Sequence, residues 1–424
     1  MRTKWSVQLE EHFGVTLPND VRAWFDDEIW QNGGSTEYGE PERPQDLLRP
    51  QSATICGGLM LPDTFPILGN GCGDCLCLRF GWDGQVTEVI RWLHETGSWT
   101  PYGETLSEAI GLDAVRWPAD FPYDADDESR DLHPHLDWAI ACLEQESNAP
   151  AGLRDMLAPD APPQFEQLIQ SGFAVDSVRG LLCEELLATD LAYYCRQHGE
   201  RRLAETLQID WQEIAVWRFD AARIPEKMMG KLCETTGIPA ERILAQDWDQ
   251  AAALANEVLQ SRTDLAWPFA VAGWAAERAG NVERAIELYF AGLESLGSSE
   301  DFTETWKLGP SPVGVKFVVG RLIELGPSLP ANIRQNGYLS VVSPHPYKRG
   351  IQSGALREYW LKRGDEAERL ENHAEAYRCF FAAGWDIFYA NDMPLILDRL
   401  AQAAHAGGSV ALAKLAERHR QRVI

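Results

Sequence analysis

The sequence predicts an α+β domain, a mostly antiparallel sheet with flanking helices, followed by an all-α helical region built partly from helix pairs. Three observations predict it. Apolar residues four apart at Trp5, Leu9 and Phe13 mark an opening helix, and short apolar runs bounded by Gly, Pro and Asp-Gly turns follow after residue 60. From Phe165 onward the apolar spacing is helical. Between these parts lies an acidic, proline-rich stretch containing PADFPYDADDESRD and APDAPP.

Taken in order, residues 5–13 read as a short helix with Trp5, Leu9 and Phe13 on one face. Pro18 ends a turn, Asp20 is placed to cap, and residues 21–30 continue as a second helix. Gln31-Asn32-Gly33-Gly34 stops it, and the polar residues 35–54 read as loop. Strands are predicted at 65–68, 75–80 and 86–92, the last two joined by a turn, Trp82-Asp83-Gly84-Gln85, with Asp-Gly at its centre. Thr105 and Glu108 have capping-box spacing and open a closing helix over 105–110. The domain expectation is residues 1–117 as the α+β domain, 118–163 as an acidic linker with a helical island at 136–144, 164–250 as a helical module, and 251–424 as a helical region.

Composition bounds the function. The net charge is −26, of which residues 1–117 carry −10, 118–165 carry −9 and 166–250 carry −6. Such a surface disfavours non-specific contact with phosphate backbones and favours a basic partner. Nine cysteines, an odd number scattered through apolar segments, together with a polar N-terminus, imply a cytoplasmic protein with free thiols. No apolar run reaches the roughly 18 residues of a membrane span.

The most distinctive segment is residues 61–80, LPDTFPILGNGCGDCLCLRF, in which Gly69, Gly71 and Gly73 alternate with Asn70, Cys72 and Asp74 before a strand. No helix follows this loop, so no helix N-terminus is offered to an anion. Cys72, Cys75 and Cys77 with Cys56 lack the second C-x2-C pair or histidine pair of a structural zinc site and read as core thiols; no metal or cofactor is expected. His133 and His135 read as loop residues, and His94-Glu95 as the rim of a binding face, since no nucleophile accompanies them.

With these residues in view, the first ~115 positions resemble the SUKH superfamily of Smi/Knr cell-wall-regulator-like domains. The matching elements are LEEHFGVTLPNDVRAW, QNGG, LPDTFPILGNGCGDCLCLRF and HETGSWTPYGETLSEAI. The resemblance implies a twisted, mostly antiparallel sheet and a non-enzymatic binding role, since many bacterial members are immunity proteins that neutralise a toxin domain and fungal members scaffold signalling. RRLAETLQIDWQEIAVWRFDAARIPEKMMGKLCETTGI is similar to a phage-repressor helix-turn-helix, with Gln208 where that family prefers glycine. FAVAGWAAERAGNVERAIELYFAGL has tetratricopeptide-like spacing of Phe269, Gly273, Gly280, Ala285 and Tyr289, and a looser unit follows around Ala376, Phe380 and Ala383.

The favoured reading is a protein-binding protein of SUKH type, an immunity protein or an intracellular scaffold, with no catalytic residues. Its predicted partner contacts are Asn70, Asp74, Trp82, Trp92, Glu95 and Trp99, an acidic face with aromatic anchors for a basic protein. Asp74 is placed either to stabilise the turn or to meet that partner. The alternative is a DNA-binding regulator using residues 201–231, with Gln212 reading adenine and Arg218 on a phosphate.

Overall fold

A computed structural model describes residues 4–34, 36–49, 55–94, 97–120, 134–145, 156, 164–296, 316–344, 349–386 and 392–423. Of the predicted linker 118–163, residues 118–120, 134–145 and 156 are described, and the remainder lies outside. The chain forms two compact units, Met1–Val178 with Arg357–Ile424, and Arg179–Leu356.

In the first unit, α1 (Trp5–Phe13) buries Leu9 and Phe13, and α2 (Asn19–Asp26) buries Trp24 and Phe25. Asp20 does not cap α2, which starts after Pro18. Its carboxylate lies in the first turn, where Oδ1 accepts from Val21 N at 2.8 Å and Oδ2 from Ser107 N at 3.2 Å. The second helix is also shorter than predicted, and Ile29–Gln31 forms a separate 3-10 turn.

The sheet is a five-stranded antiparallel meander in the order β1 (Glu40–Pro41), β2 (Thr64–Gly69), β3 (Cys75–Phe80), β4 (Val86–Trp92), β5 (Trp99–Gly103). A short helix, α3 (Pro44–Leu47), joins β1 towards β2. Every residue of β2 and nearly all of β3 is buried, so both faces of the central strands are covered. That is why these strands read as continuous apolar runs rather than alternating ones. Phe13 stacks on Phe65 at 5.3 Å and Phe65 packs on Phe80 at 5.1 Å, tying α1 to one face. The strands at 75–80 and 86–92 agree with the sequence expectation, whereas β1 and β5 were not foreseen.

Half of the capping box forms at α4 (Leu106–Asp120): Glu108 N–H donates to Thr105 Oγ1 at 3.1 Å, while Glu108 Oε2 accepts from Glu104 N, one residue before the cap, at 2.7 Å. The helical island is α5 (Pro134–Gln145). His135, expected in a loop, is buried on it, against Trp24 at 4.7 Å and Asn32 O at 2.7 Å. Next come α6 (Phe165–Ser171) and the start of α7 (Val175–Leu187), whose residues from Arg179 on belong to the second unit. The C-terminal portion contributes the end of α19 (Arg349–Arg369), then α20 (His373–Trp385), α21 (Met393–Ala406) and α22 (Val410–Arg420).

The second unit is helical. Its first part is α8 (Asp190–His198), α9 (Glu200–Leu207), α10 (Trp211–Phe219), α11 (Glu226–Thr236) and α12 (Ala240–Ile243). These pack around Leu191, Leu203, Ile214, Trp217, Leu232 and Ile243. Gln208, at the turn position where the phage-repressor family prefers glycine, adopts the left-handed φ 58°, ψ 46°, and Asp210 caps α10 by accepting from Gln212 N at 3.0 Å. After α13 (Trp248–Val258) come α14 (Ala266–Arg278) and α15 (Val282–Ala291), then α16 (Phe317–Glu324), α17 (Ala331–Arg334) and α18 (Gly337–Val342). The Tyr289 ring fills the space beside Gly273 that any Cβ would occupy, so the small residue lets α14 and α15 approach. The same device recurs in the first unit, where Phe380 of α20 fills the space beside Gly364 of α19. Among the described residues no helix is long and apolar enough to cross a membrane.

Candidate protein-binding site

The β2–β3 loop and the β4–β5 connection emerge at one end of the meander, and the β3–β4 turn at the other. At the first end the sequence builds a tight polar network. Asn70 Oδ1 accepts from Cys72 N at 2.9 Å and from Asp74 N at 3.0 Å, an Asx-type turn. Asn70 Nδ2 donates to Asp74 Oδ2 at 3.1 Å. Asp74 Oδ1 accepts from His94 N at 2.8 Å and sits 2.8 Å from His94 Nδ1. A carboxylate accepts, so Nδ1 carries the proton in this contact. Gly71 and Gly73 have φ of 71° and 111°, and a Cβ on them would meet Glu40 Oε1 at 2.7 Å and the His94 ring at 2.9 Å. Glycine is therefore required at both positions by conformation and by space.

The result is an exposed tip, Gly71-Cys72-Gly73, held by buried and half-buried partners beneath it. Its surroundings are acidic. Glu40 is exposed beside Gly71, and burial, with Asp46 and Glu40 nearby, pushes the Glu42 carboxyl up to about 7. Burial also raises the thiols of Cys56, Cys75 and Cys77, all free, which keeps them protonated and disfavours metal ligation. Among the described residues no three His, Cys, Asp or Glu side chains group as a metal site.

The predicted contact residues separate into two sets. Asn70 and Asp74 come together in the loop, and His94, named only as part of a rim, is bound to them. Glu95 lies outside the described residues. Trp92 and Trp99 are 0 % and 2 % exposed, core residues rather than exposed anchors, because the two pair across β4 and β5 and the Arg79 guanidinium covers the Trp99 ring at 4.5 Å. Arg79 is in turn held by Asp63 at 3.0 Å and Glu88 at 2.9 Å. Trp82 is at the other end of the sheet, edge-on to Tyr377 at 5.7 Å, with its ring against Gly407. A turn position signals exposure only when nothing else in the chain packs on it, and no local pattern reveals a neighbour some 300 residues away.

Of the alternative DNA contacts, Gln212 is exposed at the start of α10, beside Asp210 and Glu213. Arg218 is 6 % exposed and ion-paired with Glu200, so a phosphate would have to displace a carboxylate to reach it.

The first unit thus contains a small α+β domain that presents one hairpin loop pinned by side-chain hydrogen bonds. Residues 6–111 match the family model described as SMI1 / KNR4 family (SUKH-1), a quarter of the chain, in agreement with the resemblance read from its motifs. No curated protein and no solved structure matches the chain.

Proposed function

We propose that the protein is a non-enzymatic binding protein of SUKH type whose Asn70–Asp74 loop, with His94 and Glu40, engages a basic protein partner, and that this engagement neutralises a toxin domain as in the immunity proteins of the family. The observation that carries the reading is the loop itself. An exposed three-residue tip is fixed in one conformation by Asn70, Asp74 and His94, so binding loses little conformational freedom. The net charge of −26 and the carboxylates around Gly71 favour a cationic surface on the partner. The match of residues 6–111 to the SMI1 / KNR4 family supports a protein as that partner.

The test compares immobilised full-length wild type with Cys72→Arg and Asp74→Ala, using as probe the purified product of the reading frame adjacent to the gene. Retention by wild type, loss with Cys72→Arg and weakening with Asp74→Ala are expected. Equal retention by all three proteins would sink the site assignment.

A further inference from the structure

The five-residue connection between β3 and β4 and the segment before β2 are not bare surface. The C-terminal helices are built onto them by contacts of two kinds. Backbone carbonyls in the last turns of α1 and α3 and in the loops around the sheet receive side-chain donors: Leu47 O from Arg418 at 3.0 Å, Leu59 O from Trp385 at 3.1 Å, Trp82 O from Ser409 at 2.6 Å and Glu11 O from Lys414 at 2.8 Å. His419, wholly buried, sits with Nε2 3.0 Å from Thr64 O at the start of β2. The second kind is close backbone approach. A Cβ on Gly84 would meet Ala411 at 3.0 Å, one on Gly58 would meet Met393 at 3.3 Å, and one on Gly407 would meet His373 at 2.9 Å while colliding with Trp82.

We infer that α20, α21 and α22 are a permanent part of the N-terminal α+β domain, its resident cover, so that the family-matching segment does not attain its fold without residues 357–423. Two physical reasons favour permanence over a reversible latch. The contact strips water from His419 and from the backbone carbonyl it meets, and an unpaired buried carbonyl is costly. Ala411 of α22 and Met393 of α21 are 2 % and 5 % exposed where they lie against Gly84 and Gly58, and lifting the helices away would return both to water. The inference is independent of what binds the loop. It assigns the β3–β4 end of the sheet to the chain itself and leaves the loop end as the place where a partner meets this domain.

Hydrogen exchange on the full chain tests it. With Leu415→Asp, exchange of peptides covering β2 and β3 should accelerate at least about tenfold together with those of α21 and α22, while peptides of α14 and α15 keep their rate. Acceleration confined to residues 393–423 would overturn the inference, since it would mean that the helices are merely appended. Wild-type protein supplies the second measurement, because it avoids a variant that fails to accumulate. Across a series of low denaturant concentrations, the slowest amides of β3 and of α22 should exchange through one opening, with the same denaturant dependence. Separate dependences would overturn it.

Discussion

At Asp74 a single side chain serves two loops: it accepts from the His94 backbone and ring through Oδ1 and from Asn70 through Oδ2. Gly73 is the residue that lets His94 come so close. Gly73→Ala combines a φ of 111° with a Cβ 2.9 Å from the His94 ring, and should cost roughly 1–3 kcal/mol of stability, read as a lowered Tm. An unchanged Tm would mean that the loop relaxes freely and is not pre-formed. Two titratable groups, one buried and one half-buried, make the opposite kind of statement. Burial lowers the pKa of His419 from 6.5 to about 4, against a smaller opposing effect of its bond to Thr64 O. Its neutral form is favoured by folding, so its contribution is present above pH 6.5 and lost as pH falls to 4, in all roughly 3 kcal/mol. Glu42 is raised from 4.5 to about 7, so folding favours its protonated form, and that contribution is lost as pH rises through the same interval. Denaturant titrations from pH 4 to 8 should therefore show His419→Gln losing the acid-side decline relative to wild type. Glu42→Gln should gain stability above pH 7 by on the order of 2 kcal/mol. Parallel pH profiles for wild type and both variants would contradict both assignments.

At the scale of elements, legibility followed local pattern. The strands at 75–80 and 86–92 were readable because Asp-Gly stands between two apolar runs, and the helix start because Thr105 Oγ1 accepts from Glu108 N three residues on. The two edge strands were hidden by proline: Pro41 in β1 and Pro101 in β5 each remove a backbone donor and weaken the strand signal. The same prolines blunt both edges of the sheet against strand addition, which points recognition towards the loops. In the loop, Asn70 and Asp74 were readable from turn chemistry, but the partnership with His94 was not, since it joins residues on different hairpins. The burial of Trp92 and Trp99 was equally hidden, because it depends on β5 being a strand. The helix pairs rest on one steric rule. Gly273→Val would drive a branched side chain into the Tyr289 ring and should destabilise its unit by about 1–3 kcal/mol. Adding Tyr289→Ala should recover part of that loss in a thermal melt, because it opens space for the valine, whereas a purely conformational penalty at the helix position would leave the double variant no better.

Across the whole molecule the charge is lopsided: −26 in total, with α22 and its continuation carrying Lys414, Arg418, Arg420 and Arg422 in a chain whose first 117 residues carry −10. Charge of one sign this large opposes compaction by self-repulsion. Salt screens that repulsion, with a Debye length falling from roughly 20 Å at about 20 mM to below about 6 Å at about 300 mM. The buried pairs such as Arg79 with Asp63 are screened far less than the exposed surface. Tm should therefore rise by a few degrees as salt is added over that range, and a fall would mean that attractive surface pairs dominate. Association with a basic partner responds with the opposite sign, because the same screening removes the attraction that steers the encounter. One salt titration followed by both a thermal melt and an association rate thus separates the two effects: stability climbs while the rate drops. A rate indifferent to salt would leave the loop as a possible contact surface but would remove the basic partner from the proposal.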